Sequence, residues 1–173
     1  MPSTLVLGGA RSGKSRWAQA RAEAQAADRR LVLIATAQAL DAEMAERIAR
    51  HRADRGLAWT TVEAPLDLAG AVADLGPGDV AVVDCLTLWL SNLMSARADL
   101  EAAYGALEAA VAATPATVIL VSNEVGQGIV PDNALARRFR DEAGRLHQRL
   151  ATNCDAAVMI VAGLPLWLKA PPA

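Results

Sequence analysis

Short runs of β-branched and leucine residues alternate along this chain with longer alanine-rich stretches whose apolar positions recur at helical spacing. Thr4–Leu7 reads as a strand ending in Gly8-Gly9, Ser15–Ala27 as a helix, and Leu31–Ala35 as a second strand. Leu40–Arg55 has helical periodicity, with Met44 and Ile48 on one face and Gly56 as its C-terminal cap. Trp59–Glu63 reads as extended, and Leu66–Leu75 as a helix closed by the Gly76-Pro77-Gly78 turn. Val80–Val83 is a continuous apolar run, the pattern of a strand covered on both faces. Leu86–Ser95 and Asp99–Ala113 read as helices, the second stopped near Pro115. Thr117–Val121 is another buried strand, followed by a glycine-containing loop, Asn123–Pro131. Asn133–Thr152 is a long helix with Asp132 as its N-cap. Ala157–Val161 is the next strand, and Gly163-Leu164-Pro165 turns the chain into Leu166–Lys169, an antiparallel edge strand. No repeat or linker interrupts the pattern, so residues 1–173 are expected to form a single α/β domain, with a mostly parallel sheet and helices on both faces.

Composition narrows the function classes. Hydrophobic residues make up 53% of the 173, but aromatics only 3%, so the core is packed by Val, Leu, Ile and Ala. No apolar run approaches the roughly 20 residues of a membrane helix, and a cationic signal-peptide start is lacking. A net charge of -2 does not favour nucleic acid or an anionic membrane. Cys85 and Cys154 form neither a metal motif nor a disulfide framework, which suits two reduced thiols in the cytoplasm.

The strongest chemical signal is Gly8-Gly9-Ala10-Arg11-Ser12-Gly13-Lys14-Ser15, which satisfies the P-loop pattern between a strand and a helix. The glycines let backbone N–H groups turn inward around phosphate oxygens, and the positive end of the following helix faces the same anion. Lys14 is placed to reach the β- and γ-phosphates of a nucleoside triphosphate, and the Ser15 hydroxyl to ligate Mg²⁺. Asp84, after four apolar residues at a strand's carboxyl end, has the pattern of a second Mg²⁺ ligand. Arg11 is either a phosphate contact or a solvated turn residue.

Two histidines are present. His147 lies in the last long helix among Arg145, Gln148 and Arg149 and reads as a partly exposed packing residue. His51 has Arg47 and Arg55 each one turn away on the same helix face. Cations there favour the neutral imidazole, the form a nucleophile needs, and would steady negative charge at a phosphorus centre. The other local reading of His51 is an interaction with the helix C-terminal dipole. The loop Asn123–Pro131 leaves a strand's carboxyl end, the edge where open α/β sheets bind ligands. Beyond it, the spacing of Arg137/Asp141 and Arg138/Glu142 predicts surface pairing.

Taken together, these segments resemble the bifunctional adenosylcobinamide kinase/adenosylcobinamide-phosphate guanylyltransferase family of cobalamin biosynthesis. The resemblance rests on GGARSGKS at 8–15, IATAQ at 34–38, AEMAERIARHRADR at 42–55, WTTVEAP at 59–65, DCLTLWLSNL at 84–93 and SNEVGQGIVPDNALARRFRDEAGRLHQRLA at 122–151, nearly end to end. The NEVGxGIVP stretch is more specific than the P-loop, because generic nucleotidases lack it. The resemblance implies a RecA-like P-loop fold, a homotrimer and two reactions. ATP or GTP phosphorylates the aminopropanol hydroxyl of adenosylcobinamide, and GTP then donates GMP to that phosphate through a guanylyl-histidine intermediate. The matching histidine is His51, preceded by Arg50 where some relatives carry a second histidine. The resemblance places guanine-nucleotide contacts on Gly8–Ser15, on Ala35, Thr36 and Ala37, on Arg52, Ala53, Asp54 and Arg55, and on Glu63 and Asp84. Relatives often have two acids where this chain has Asp41-Ala42. Two other functions compete: a RecA-like ATPase acting on nucleic acid or a protein partner, and a non-catalytic nucleotide-binding regulator. The net charge and scarce aromatics oppose the first, and intact Lys14, Ser15 and Asp84 oppose the second.

Overall fold

The computed structural model describes residues 2–38 and 58–171. The strands are β1 (Ser3–Gly8), β2 (Arg30–Ala35), β3 (Trp59–Glu63), β4 (Asp79–Asp84), β5 (Thr117–Asn123), β6 (Ala156–Val161) and β7 (Leu164–Lys169). The helices are α1 (Lys14–Ala26), α2 (Leu68–Ala73), α3 (Leu86–Ser95), α4 (Leu100–Ala113) and α5 (Ala134–Asn153). The strands form one sheet in the order β3-β2-β4-β5-β1-β6-β7. All neighbours are parallel except β6 and β7. The helix expected at Leu40–Arg55 lies outside the described residues.

Side-chain alternation divides the central strands between two cores. Leu5 and Leu7 of β1, Ala81 and Val83 of β4, and Val118 and Leu120 of β5 face one side. There they meet Leu86, Trp89, Leu90 and Leu93 of α3, Tyr104 and Leu107 of α4, and Leu146 and Leu150 of α5. Val6, Val80, Val82, Ile119 and Val121 face the other side, against Ala18, Ala22 and Ala26 of α1. The four-residue spacing of those alanines gives α1 a flat stripe that lets it lie close to the sheet. Both faces are therefore helix-covered, but unequally: among the described helices α1 alone covers its side. Trp89 is fully buried and its indole N–H donates to Leu66 O at 2.8 Å, so the low aromatic content is spent at a central packing position.

Several boundaries differ from the periodic reading, each for a local reason. The long C-terminal helix is capped by Asn133 rather than Asp132, because the Asn133 side chain accepts from Ala136 N at 2.7 Å. Asp67 and Asp99 are likewise caps, accepting from Gly70 N and Ala102 N, so α2 starts at Leu68 rather than Leu66 and α4 at Leu100 rather than Asp99. β5 continues through Asn123, held by pairing of Gly8 with Asn123. β7 begins at Leu164 rather than Leu166, because Ala162 and Gly163 alone make the turn, both with positive φ (52° and 81°). Pro165 is tolerated because β7 is the sheet's edge strand. The expected helical surface pairs do not form. Arg137 donates to the Pro131 and Asp132 carbonyls, Asp141 pairs with Arg140 at 3.1 Å, and Glu142 pairs with Arg145 at 2.7 Å.

Candidate functional site

The P-loop leaves β1 at its carboxyl end and enters α1. Its sharp path requires glycine at two positions. A Cβ on Gly8 would stand 2.5 Å from Ser12 Oγ and 2.8 Å from Ile160 O, and Gly13 has φ +93°. The loop is braced from outside by Gly163 N–H, which donates to Ser12 O at 2.9 Å. Buried Lys14 donates from Nζ to Gly9 O at 3.1 Å, which stretches the ammonium back over the loop. Ser12 Oγ is buried with no hydrogen-bond partner among the described residues. An orphaned hydroxyl among inward-turned backbone donors suits an anionic oxygen. Arg11, with φ +55°, is exposed at the loop's rim.

The other residues expected as nucleotide contacts that fall within the described chain lie at the same carboxyl edge of the sheet. Glu63 pairs in register with Ala35, and Ala35 with Asp84, so the three form one row across β3, β2 and β4. Register partners share a face, and Cys85 and Val121 mark this one as the α1 side, where Gly8 also points. The charges of Asp84 and Lys14 both act on buried Cys85: burial pushes its thiol pKa up, Asp84 adds to this and Lys14 opposes it. Asp84 and Lys14 thus share one locale, and with Ser15 in the first turn of α1 they offer hard oxygen donors and a cation of the kind Mg²⁺ and phosphate need. No cluster of three or more potential metal-binding side chains occurs among the described residues.

Thr36, expected as a nucleotide contact, and two residues given no role by the sequence, Asn92 and Asn123, hold this row in place. Thr36 Oγ1 donates to Cys85 O at 2.7 Å and accepts from Cys85 N–H at 2.9 Å. Asn92 of α3 donates to both Thr36 O and Pro65 O, tying the segments after β2 and β3 together. Asn123 donates to Thr87 Oγ1 at 2.8 Å, linking the ends of β5 and β4. The only sequence sign of these roles is polar residues within otherwise apolar segments at strand ends. His51, Arg52, Ala53, Asp54 and Arg55 lie outside the described residues, as do Arg47 and Asp41. On the opposite face, α3 and α5 border a groove of about 460 Å³ lined by Met94, Leu135 and Phe139 among others; no P-loop residue lines it.

A family model described as cobinamide kinase / cobinamide phosphate guanyltransferase matches residues 4–168. The chain belongs to this family. Its relatives include the bifunctional adenosylcobalamin biosynthesis protein CobP of Pseudomonas aeruginosa, 49% identical over 97% of this chain and 98% of the relative. The CobU proteins of Salmonella typhimurium and Escherichia coli are 45% and 43% identical, each over 95% of this chain and 98% of the relative. The fold is that of P-loop NTPases. Solved structures of similar fold include the P4 protein from bacteriophage phi6 in complex with ADP (TM-score 0.52, 15% identity, 99% of this chain and 59% of that one). Another is the ATPase domain of a second protein (TM-score 0.53, 13% identity, 91% of this chain and 68% of that one).

His147 departs from its expected exposure. It is buried, with Nε2 2.7 Å from Ser122 Oγ and Nδ1 3.9 Å from Glu124 Oε2. Burial lowers its pKa from the ordinary value, and the Glu124 carboxylate partly opposes the shift. The unfolded chain therefore takes up this proton more readily. The associated stability is complete above about pH 6.5 and is lost as pH falls through the lower folded-state pKa. Thermal unfolding between about pH 7.5 and 5.5 should show a falling midpoint in the wild type and a shallower slope in His147→Asn. Parallel slopes would refute the assignment. The carboxylates held low by their partners, Asp79, Glu108 and Asp155, titrate below this window.

Proposed function

We propose that this chain phosphorylates adenosylcobinamide and then guanylylates the product. What carries the reading is the family match over residues 4–168, and the P-loop cradle supports it chemically. In the first reaction the aminopropanol hydroxyl attacks the γ-phosphorus of ATP or GTP and the nucleoside diphosphate leaves. Lys14, the loop amides and Ser12 Oγ hold the phosphates and steady the charge that spreads over them. In the second, His51 displaces pyrophosphate from GTP at the α-phosphorus, and the corrinoid phosphate then takes GMP from the histidine, giving adenosylcobinamide-GDP. Guanine-nucleotide contacts on Ala35, Thr36, Ala37, Arg52–Arg55 and Glu63 complete the reading. For the described members it is supported by the common strand edge of Ala35 and Glu63.

Ser15 and Asp84 would hold Mg²⁺, which neutralises phosphate charge when bound. Asp84→Asn should therefore raise the Mg²⁺ concentration needed for half-maximal turnover by roughly 10-fold or more, because a neutral amide holds the ion less well. An unchanged Mg²⁺ titration in both assays would remove Asp84 from the metal shell.

The resemblance also supports a homotrimer. Leu164, Leu166 and Leu168 of β7 are exposed, leaving an apolar edge that another copy could cover. Light scattering tests the trimer. Two free, buried cysteines suit a cytoplasmic protein, and no described helix is long and apolar enough to cross a membrane. The decisive assay supplies adenosylcobinamide with ATP and then GTP and separates the corrinoid products. Absence of both phosphorylated and guanylylated corrinoid would sink the proposal. Nucleic-acid-stimulated ATP hydrolysis would favour the rival ATPase instead.

A further inference from the structure

The phosphorylation step has a requirement that the P-loop does not meet. An attacking hydroxyl carries a proton, and something must accept it as the O–P bond forms. Glu124 stands where such an acceptor is needed. It follows β5 directly, and its backbone N–H donates to the carbonyl of Gly8, the first P-loop residue, at 3.0 Å. This sets its backbone about one strand spacing, roughly 4.8 Å, from the loop. Strand alternation turns its side chain toward the α5 face, opposite the α1 face on which Gly8 and Asp84 point. Glu124 thus adjoins the first P-loop residue at the carboxyl edge of the sheet, with its carboxylate on the α5 side.

The two carboxylate oxygens have different surroundings. Oε1 accepts the Gly126 N–H, which holds the side chain in one orientation. Oε2 makes no hydrogen bond within the described residues; His147 Nδ1 lies 3.9 Å from it, beyond hydrogen-bond range. His147 Nε2 lies 2.7 Å from Ser122 Oγ, which fixes the imidazole beside this oxygen. The carboxylate is thus held in one orientation and partly solvent-exposed, with no hydrogen bond to Oε2 among the described residues.

We infer that Glu124 is the proton acceptor of the kinase step, a catalytic residue specific to phosphorylation. This inference rests on the phosphoryl-transfer reading above. Glu124 Oε2 takes the hydroxyl proton as the substrate oxygen bonds to the γ-phosphorus. The bond from that phosphorus to the bridging oxygen breaks, and the nucleoside diphosphate leaves with the electron pair. The carboxylic acid then returns its proton to solvent. Guanylyl transfer makes no such demand, because its nucleophiles are a neutral imidazole nitrogen and an ionised phosphate oxygen.

The test uses the full chain, adenosylcobinamide, and separately supplied adenosylcobinamide-phosphate. Glu124→Gln keeps an oxygen for Gly126 N–H but loses the proton affinity. It should lower kcat for phosphorylation by about 10²–10⁴-fold with KM values near wild type, while GMP transfer to the supplied phosphate stays within a few-fold. Glu124→Asp, which keeps a carboxylate at shorter reach, should fall between Gln and wild type. Phosphorylation by Glu124→Gln within a few-fold of wild type would overturn the inference, as would equal losses in Gln and Asp or in both reactions. Wild-type protein that forms no corrinoid phosphate would instead overturn the kinase reading itself, and the inference with it.

Discussion

His51→Ala is expected to abolish GMP transfer while retaining most of the phosphorylation activity, so that adenosylcobinamide-phosphate accumulates. Transfer through the enzyme needs a group that attacks the α-phosphorus and later departs, and neutral imidazole does both. Its removal leaves no path through the intermediate, and the rate should fall by roughly 10⁴-fold or more, the scale seen when a catalytic nucleophile is deleted. Phosphorylation needs no enzyme nucleophile, only positioning, charge stabilisation and a proton acceptor at the attacking hydroxyl, so it is spared. Two readouts check this. With α-labelled GTP, wild-type protein should retain label after denaturation, lose it in acid and keep it in mild alkali, as a phosphoramidate does; the variant should take up none. Arg47 and Arg55, each four positions from His51 in the sequence, are proposed to favour the neutral imidazole and should matter more for this reaction than for the kinase. A GMP adduct on His51→Ala at wild-type rate and yield would end the assignment.

Lys14→Ala has the opposite signature: both reactions should drop together, by about 10²–10³-fold each. One P-loop serves both nucleotides in this reading, and Lys14 is the fixed charge that its fold stretches across the loop to Gly9 O. Lys14→Arg should rescue poorly, because the larger planar guanidinium does not fit the buried path of the ammonium. Thermal unfolding of the apo variant controls for a structural loss. If either activity persisted at wild-type rate, a second nucleotide site would have to exist. The pair of variants therefore separates what the reactions share from what only the transferase uses.

Much of this was legible in the linear pattern. Val80–Val83 as a doubly buried strand, Trp59–Glu63 as an extended segment and Leu86–Ser95 as a helix all stand in the fold as read. The P-loop was legible because its function is contiguous: one turn of backbone, one lysine and one helix start make the cradle. The place of Asp84 at a strand's carboxyl end was legible because an acid closing an apolar run is itself a local signal. The caps were misread at Asp132 because two adjacent residues, Asp132 and Asn133, are both good capping types. Only backbone geometry decides which one faces the first open N–H groups.

What the sequence by itself determined is the order of the elements among the described residues, the phosphate loop and the family, since each is written in neighbouring residues. The tertiary structure alone decided which distant residues meet. Glu63, Ala35 and Asp84 form a row because parallel pairing brings three strands into register, and a slip of one residue would turn them to the other face. His147 looks like a surface residue beside Arg145 and Arg149, yet α5 turns it inward onto Ser122 at the end of a strand 25 positions away in sequence. Asn92 and Glu124 gain their partners in the same way. Side-chain direction repeats with period 2 in strands and 3.6 in helices, so the pattern shows which face a residue takes, but what lies opposite that face depends on strand order and helix docking.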